Sequence, residues 1–342
     1  MPTLRSIVVV KLSAIGDVLH GVPVAVALKR AFPGVAIGWV AEGRAADVLA
    51  GHPAVDRIFR VPRGWLKQPR AVWTLRRNLI TFAPDAAIDL QGLCKSAVAT
   101  WLSGAPIRIG HARPEARECA WLAYTHPVKT TAAHVVERNC QLLATLGVRE
   151  TRPQFAMPHW PASRAAVQDW LEPLRLPRPP VLINPGAGWL SKIWPEERFA
   201  AVAAGLHRRT GERTIIVWGG PSERAAATRI AAAASGAALV APATTLRELG
   251  ELCRLSRLFI SSDTGPLHLA AAVGTPCVGL MGPVPAERNG PYGAHHTVVE
   301  PPASLRPQWQ NRKTDTRAMA GIGVEEVLTA AEALLMWARL AA

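Results

Sequence analysis

The stretch Ser261-Ser-Asp-Thr-Gly-Pro-Leu-His268 lies between two apolar segments and decides the predicted fold of its half of the chain. Before it, residues 255–260 are typical of a buried strand, and the small residues 267–273 are typical of a helix. A further apolar run, 276–281, predicts the next strand. The polar stretch is therefore predicted to lie on a strand-to-helix turn at the carboxyl edge of a parallel sheet, where open α/β sheets bind their ligands.

This turn combines groups that suit a ligand carrying phosphate. A helix N-terminus offers backbone N–H groups and the positive end of the helix dipole. Asp263, Thr264 and His268 add a carboxylate, a hydroxyl and an imidazole. The alternative is a simple helix cap formed by Ser262, Asp263 or Thr264. Capping needs one such residue, and this turn contains four, so the pattern favours a ligand site.

The composition is that of a globular protein with an anionic partner. The chain has 342 residues, of which 49% are hydrophobic and 19% charged, which is enough for two domains. The net charge of +14 indicates nucleic acid, an anionic membrane or an anionic substrate. No zinc finger, basic zipper or ribonucleoprotein motif is recognisable in the sequence, so a nucleic-acid partner is not expected.

Cysteine usage and hydropathy bear on the compartment. The five cysteines are scattered without a Cys-x-x-Cys pair, which indicates a reducing cytoplasm with neither a disulfide framework nor a zinc site. Lys11 and Asp17 interrupt the apolar N-terminal run too early for a signal peptide. No run approaches the roughly 20 apolar residues of a spanning helix. We therefore expect a soluble protein or one that lies on a membrane surface.

Apolar runs and helical segments alternate along both halves of the chain. Strands are predicted at 7–12, 35–40, 58–61, 86–90, 107–109, 181–183, 214–218 and 238–240, and helices at 17–31, 42–51, from 96, at 196–209, 222–235, 245–254 and 324–340. This alternation predicts doubly wound parallel sheets with helices on both faces. A proline-rich stretch, 151–180, separates the two series and is expected to carry one short helix at about 163–171.

Four segments together resemble glycosyltransferase family 9, the heptosyltransferases that build the inner core of bacterial lipopolysaccharide. They are Lys11-x-Ser-x-x-Gly-Asp-Val-Leu-His20, Asp89-Leu-Gln-Gly-Leu-Cys-Lys-Ser96, His134-Val-Val-Glu-Arg-Asn139, and the stretch from Ser261 with its continuation to Pro283. The second and third segments favour the heptosyltransferase I branch. The resemblance covers nearly the whole chain.

The resemblance implies the glycosyltransferase B (GT-B) architecture, with two Rossmann-like domains facing a central cleft. The expected divisions are an acceptor domain at 1–160, a linker at 161–180, a nucleotide-sugar domain at 181–323, and a last helix, 324–342, crossing back to the first domain. The implied activity is inverting, metal-independent transfer of L-glycero-D-manno-heptose from ADP-heptose to a Kdo residue of lipid A. Two alternatives remain open: another family 9 transferase, such as heptosyltransferase II or one with a different glycan acceptor, and a non-catalytic basic nucleotide-binding module.

Asp17 matches the catalytic base of the family motif. Transfer to a sugar hydroxyl needs a carboxylate that takes the proton as the anomeric carbon is attacked. A single base without a second, nucleophilic carboxylate implies direct displacement with inversion. The alternative role for Asp17 is an ordinary helix N-cap.

The resemblance also assigns residues to the donor. Lys192 matches a lysine on the donor diphosphate, Glu223 a contact with the nucleoside, and Thr244 and Leu246 the adenine edge, whereas a lone surface lysine is ordinarily only solvated. The full expected set of donor-binding residues is Ser13, Gly16, Ala187, Gly188, Lys192, Glu223, Thr244, Leu246, Asp263, Thr264, Gly265 and His268. No Gly-x-Gly-x-x-Gly or Walker loop occurs, which disfavours a nicotinamide enzyme.

Two basic segments, 63–77 and 108–117, form either solvated faces or a docking surface for the phosphates of an acceptor. Arg63, Gln91 and Arg117 are the expected acceptor-binding residues. No Asp-x-Asp pair occurs, so neither a metal nor a cofactor is expected. We expect a monomer on the cytoplasmic face of the inner membrane, held there as a peripheral protein.

Overall fold

The computed structural model describes residues 4–150 and 152–340, and the chain divides after Pro158 into two compact units. Each unit contains one parallel sheet of six strands with helices packed around it. The predicted fold class, α/β with two doubly wound sheets, is therefore confirmed. None of the described helices is long and apolar enough to cross a membrane.

The first unit is built around a sheet with the strand order β3-β2-β1-β4-β5-β6. Its strands are β1 (Ser6–Val10), β2 (Ala36–Glu42), β3 (Arg57–Val61), β4 (Ala86–Asp89), β5 (Ile107–His111) and β6 (His126–Val128). Its α-helices are α1 (Ile15–Ala31), α2 (Pro69–Phe82), α3 (Cys94–Leu102) and α4 (Val135–Gln141), and short 3-10 helices cover Gly43–Leu49, Trp65–Lys67, Ala120–Ala123 and Leu142–Leu146. The strand order reverses between β1 and β4, which makes their carboxyl ends the switch point where such sheets bind ligands.

Two elements of the first unit differ from the sequence prediction. The segment 42–51, predicted as an α-helix, forms a 3-10 helix that begins at Gly43, whose φ of 55° lies in the left-handed region. Helix α1 begins at Ile15 instead of residue 17, and Pro23 lies inside this continuous helix. It is buried there, as are all residues of β1, because a parallel sheet is covered on both faces.

The second unit has the strand order β12-β11-β10-β7-β8-β9. Its strands are β7 (Val181–Asn184), β8 (Thr214–Ile216), β9 (Ala238–Val240), β10 (Leu258–Ser262), β11 (Cys277–Leu280) and β12 (His296–Val299). Its α-helices are α5 (Pro161–Leu171), α6 (Glu196–Thr210), α7 (Pro221–Ala233), α8 (Leu246–Arg254), α9 (Gly265–Ala272), α10 (Ala286–Asn289), α11 (Arg317–Ala320) and α12 (Val324–Leu340), and 3-10 helices cover Glu172–Leu174, Leu190–Lys192, Ala303–Leu305 and Trp309–Asn311. Here the order reverses between β10 and β7.

Both ends of this unit pack onto its own elements. Helix α5, within the segment expected to be a linker, packs against α8, and the Trp160 N–H donates to Glu251 Oε1 at 2.8 Å. Helix α12 packs against α6, where an ideal Cβ on Gly205 would lie 2.8 Å from the side chain of Leu328. A side chain at 205 would therefore push the buried Leu328 aside where the two helices meet. The expected return of the last helix to the first domain stays a prediction.

Trp194 anchors the start of α6 directly after the lysine of the expected donor site. It is fully buried, and its Nε1 donates to the carbonyl of Ile322 at 3.1 Å. Its ring packs edge to face against Phe199, with 4.9 Å between the ring centroids. A buried indole with a satisfied N–H fixes the backbone that carries it. The backbone at Lys192, two residues earlier, is therefore also held in place.

Candidate functional site

A buried amide joins the two loops at the switch point of the second unit. Asn184 ends β7 and pairs in register with Ser261 on β10. Its Nδ2 donates to Ser261 Oγ at 2.9 Å and to Thr264 Oγ1 at 3.3 Å. Asn184 was not predicted as a site residue, although a polar residue that ends a buried strand before a glycine loop is a signal in the sequence. This amide holds the glycine loop against the Ser261–His268 turn.

Two side chains, those of Lys192 and His268, converge on Asp263 within this turn. Lys192 Nζ lies 2.6 Å from Asp263 Oδ2, and His268 Nε2 lies 3.0 Å from Asp263 Oδ1. Burial alone would raise the pKa of Asp263, but the His268 hydrogen bond and the Lys192 charge outweigh it and lower that pKa to about 2. Asp263 is thus a carboxylate at neutral pH. Lys192 is not a lone solvated lysine, since only 14% of its side chain is exposed.

Thr264 is the N-cap of α9 among the three candidates. Its hydroxyl accepts the N–H of Leu267 and also lies 3.1 Å from Ser261 Oγ. The helix therefore begins with Gly265, and Pro266 in the first turn has no N–H to offer. The expected contact between the Thr264 hydroxyl and the donor stays a prediction, because that hydroxyl already has partners within the protein.

Glu223 connects the loops that follow β7 and β8. Its Oε2 accepts the N–H of Gly219 at 2.6 Å, and an ideal Cβ on Gly186 would lie 2.4 Å from its carboxylate carbon. A side chain at 186 would displace the Glu223 carboxylate from this position. Ala187 is half-buried and Gly188 is exposed in the same loop.

The residues expected at the adenine edge lie further along the same edge of the sheet. Thr244 and Leu246, both half-buried, flank Thr245, the N-cap of α8, after the edge strand β9. The capping box of Thr245 with Glu248 fixes this helix start. All expected donor residues of the second unit thus lie beyond the carboxyl ends of its strands.

Three cations surround the ring of Trp189. Lys192 Nζ lies 4.5 Å from its centroid, Lys313 Nζ 5.5 Å and the Arg312 guanidinium carbon 5.8 Å. Ser191 ties the two segments together, because its Oγ donates to the Arg312 carbonyl at 2.6 Å. Arg312 and Lys313 were not predicted as site residues, because their only signal in the sequence is two adjacent basic residues. Positive charge gathered beside the donor turn suits an anionic ligand.

In the first unit, Asp17 lies at the third position of α1 beside a buried ammonium group. Its Oδ2 accepts the N–H of Ala14 at 3.1 Å, and its Oδ1 lies 3.9 Å from Lys11 Nζ. Lys11 is buried and donates to the carbonyl of Leu90 at 2.7 Å. The simple N-cap position proposed as an alternative is therefore wrong for Asp17. Because 43% of its side chain is exposed, the carboxylate can also contact a ligand.

Gln91 closes the same switch point from the other strand. Its Oε1 accepts the N–H of Leu12 at 2.8 Å, which joins the loops after β1 and β4. The buried Asp89 shapes this loop by accepting the N–H of Gln91 and of Gly92 and the hydroxyl of Tyr124. Burial raises the pKa of Asp89 despite these hydrogen bonds, which oppose the rise.

Ser13 and Gly16 lie on the turn that precedes α1 and in its first residues. Ser13 Oγ lies 3.2 Å from Lys95 Nζ, which forms an ion pair with Glu42 at 2.9 Å. Gly16 is buried. Their expected contact with the donor stays a prediction.

The structure separates the two arginines expected to bind the acceptor. Arg117 is exposed, and its N–H donates to the carbonyl of Gly92 at 2.9 Å, beside Gln91. Arg63 is also exposed but follows the edge strand β3, away from the switch point. Within residues 4–150 and 152–340, no group of three or more His, Cys, Asp and Glu side chains is arranged to hold a metal ion.

Comparison with known proteins points to one family. The model of glycosyltransferase family 9 (heptosyltransferase) matches residues 72–317. The chain is 32% identical over 300 residues to lipopolysaccharide heptosyltransferase 1 of Pseudomonas aeruginosa, covering 84% of this chain and 81% of that protein.

Solved structures agree with this similarity. The E. coli heptosyltransferase WaaC with ADP has a TM-score of 0.78 and 27% identity, and the match covers 96% of this chain and all of that one. WaaC with ADP-2-deoxy-2-fluoro heptose has a TM-score of 0.76 at the same identity, covering 96% of this chain and 99% of that one. The two doubly wound sheets are thus those of GT-B heptosyltransferases.

Proposed function

Because this chain belongs to glycosyltransferase family 9, we propose that it transfers L-glycero-D-manno-heptose from ADP-heptose to a Kdo residue of lipid A. Membership of this family establishes the general activity: the chain is a heptosyltransferase of lipopolysaccharide core synthesis. The observation that carries the donor part of this proposal is the buried group formed by Lys192, Asp263 and His268 at the switch point.

On this proposal, the second unit binds the donor through its diphosphate. An ammonium group has three N–H donors, and the ion pair with Asp263 uses one of them. Lys192 can therefore meet the charge that grows on the diphosphate as the glycosidic bond breaks. The N-terminus of α9, with the Gly265 N–H, adds the positive end of a helix dipole. ADP in the similar WaaC structure supports this donor.

Asp17 is the proposed general base, which takes the proton of the acceptor hydroxyl as that oxygen attacks the anomeric carbon. Lys11 Nζ, 3.9 Å away, and the N–H of Ala14 hold this carboxylate in place at the start of α1. We propose inversion of configuration, because a single displacement needs only this one carboxylate.

Metal independence is the third part of the proposal. Its support lies in the cations that surround the expected diphosphate position, namely Lys192, Arg312 and Lys313 around Trp189. Fixed positive charges of this kind can neutralise a leaving diphosphate in place of a divalent ion. The absence of an Asp-x-Asp pair from the sequence agrees with this.

The acceptor side is proposed on charge and position. Kdo-lipid A is anionic, the chain carries a net charge of +14, and Arg117 lies beside Gln91 at the switch point of the first unit. We propose that the protein acts on the cytoplasmic face of the inner membrane as a peripheral protein, because its acceptor is lipid-linked. We also propose that it acts as a monomer.

Incubation with ADP-heptose and each of two acceptors tests the proposal. Mass spectrometry should find one heptose added to Kdo-lipid A and none added to Kdo-lipid A that already carries a heptose. Addition only to the heptosylated acceptor would assign the chain to heptosyltransferase II instead. No addition to either acceptor, with ADP still bound, would favour a different glycan acceptor.

A further inference from the structure

The solvent-facing side of α2 carries large apolar side chains that the protein leaves uncovered. Trp73 is 60% exposed and Ile80 is 50% exposed, whereas Leu75 and Leu79 on the same helix are buried in the core. Positions 73, 77 and 80 are spaced by four and three residues, so they share one face of the helix. Trp73 belongs to the basic segment 63–77, and this exposed face was not predicted from the sequence.

A second exposed tryptophan extends this surface onto α3. Trp101 is 58% exposed, and α2 and α3 pack against each other. The guanidinium of Arg76 lies 6.0 Å from the Trp101 ring centroid, and that of Arg77 lies 5.0 Å from the Trp73 ring centroid. We call the surface formed by Trp73, Arg76, Arg77, Ile80 and Trp101 the α2–α3 face.

The chemistry of the α2–α3 face is that of an interfacial membrane anchor. Tryptophan prefers the headgroup level of a bilayer, where its apolar ring and polar N–H are both accommodated. Arginine can keep its charge among lipid phosphates while its stem covers apolar surface. Helix α2 contains no Asp or Glu, so nothing on it repels an anionic leaflet. Contiguous exposed apolar side chains of this kind mark an interaction site.

We propose that the α2–α3 face docks onto an anionic phospholipid bilayer. Trp73, Ile80 and Trp101 enter the headgroup region, and Arg76 and Arg77 contact lipid phosphates. This inference rests on the proposed function, which requires the first unit to meet a lipid-linked acceptor at a membrane. It names the surface that performs the docking and separates it from the acceptor-binding residues Gln91 and Arg117.

A bilayer fits this face better than nucleic acid does. Bases would have to stack on the indole rings, but the guanidinium groups of Arg76 and Arg77 already lie over those rings. Ile80 offers an aliphatic surface that has no role in stacking. It gains free energy, in contrast, when it leaves water for an apolar environment.

The test is co-sedimentation of the full chain with vesicles of phosphatidylcholine, with and without phosphatidylglycerol. We expect binding to the phosphatidylglycerol vesicles, which salt weakens. Trp73→Ala/Trp101→Ala should reduce that binding by about tenfold or more, because binding strength scales with buried apolar area. Arg76→Gln/Arg77→Gln should reduce it by about fivefold per arginine.

Trp337→Ala is the matched control, because Trp337 is also exposed, at 42%, but belongs to the second unit. It should bind vesicles like the parent. Equal binding by the parent and Trp73→Ala/Trp101→Ala would overturn the proposal. So would an absence of vesicle binding together with retention on a single-stranded oligonucleotide that the same double substitution abolishes.

A water-soluble, deacylated Kdo acceptor separates this inference from the proposed function. The Trp73→Ala/Trp101→Ala variant should transfer heptose to that acceptor at the parent rate while it loses activity on vesicle-borne acceptor. Transfer by the parent without vesicle binding would refute the docking face and leave the activity intact. Vesicle binding without transfer to either acceptor would refute the acceptor assignment and leave the docking face intact.

Discussion

Lys192 Nζ lies 2.6 Å from Asp263 Oδ2, with 14% and 6% of the two side chains exposed. Such a pair differs from a surface ion pair, because removal of one partner leaves the other charge poorly solvated. His268 holds the second carboxylate oxygen at 3.0 Å. The pair therefore fixes the position of the lysine as well as the shape of the turn.

Lys192→Ala should lower kcat/KM for the donor by about 10- to 150-fold, the loss of one charge-assisted contact of about 1.5–3 kcal/mol. The decrease should fall mainly in kcat, because the contact strengthens as charge develops on the leaving diphosphate. Asp263→Asn should also lose activity, since Lys192 and His268 lose their common anchor. Steady-state kinetics of both single variants and the double variant measures the coupling.

The double variant should be far less impaired than the product of the two single effects, because the residues act as a unit. Strictly multiplicative effects would argue against that unit. Arg229→Ala is the matched control: it breaks the exposed pair with Glu196, of which 61% and 37% are exposed, and should leave the kinetics unchanged.

Asp17→Asn should reduce transfer by about 10²–10⁴ while ADP binding, measured by calorimetry, stays close to that of the parent. The amide keeps the shape of the carboxylate and cannot accept a proton from the acceptor. Asp47→Asn is the control, because it changes another partly exposed carboxylate of the first unit, one that pairs with Arg60. Turnover by Asp17→Asn near that of the parent would refute its role as base.

Activity should persist in excess EDTA. The proposal assigns neutralisation of the diphosphate to Lys192 and its neighbours, so removal of divalent ions should change the initial rate little. The measurement is the rate of ADP release with and without chelator. A loss that Mg²⁺ restores would contradict the metal-independent mechanism.

Arg117→Glu should raise the KM for the acceptor and leave the KM for the donor unchanged. Arg117 is exposed next to the Gln91 turn, where a reversed charge would repel an anionic acceptor. Arg208→Glu, an exposed position on α6 of the second unit, is the control for the change in net charge. Equal acceptor KM values for parent and Arg117→Glu would show that Arg117 is an ordinary solvated residue with no role in acceptor binding.

Much of the fold was predictable because apolar runs bounded by polar turns specify buried strands. The Ser261–His268 turn formed between a strand and a helix, with Thr264 as its cap, as the residue types indicate. Helix α2, which begins within the 63–77 segment, was not predicted, and neither was the exposure of its Trp73. The many arginines of this segment masked the helical spacing of Leu75 and Leu79, which places both on the core side of α2.

The contacts inside the site were beyond sequence reasoning for a different reason. Asn184 meets Ser261 across 77 positions of the chain, and Ser191 meets Arg312 across 121. Only the strand order brings such residues together, and no local pattern encodes that order. The individual residues Lys192 and Asp263 were identified, but their pairing needed the structure.

The stability of the first unit should fall between pH 7 and pH 5 because of His111. Burial is the main cause that lowers the pKa of this residue, and with the nearby Lys11 charge it brings that pKa to about 4, against a hydrogen bond with Asn139 that raises it. In the unfolded chain a histidine titrates near 6.5. The unfolded state therefore takes up the proton first, so stability is fully present above pH 6.5 and is lost progressively toward pH 4.

The expected loss from His111 between pH 7 and pH 5 is about 2 kcal/mol. In a domain of this size, a loss of this magnitude lowers the thermal midpoint by about 4–8 °C. The parent should show this decrease in addition to any decrease that His111→Gln shows over the same pH range. Calorimetry of both proteins at the two pH values measures it, and His126→Gln on the neighbouring strand β6 is the control. His52, which is buried, and His296, which is half-buried, also have lowered pKa values, but they titrate in parent and variant alike, so the difference isolates His111. Identical pH dependence in parent and His111→Gln would show that His111 is not held neutral by the fold.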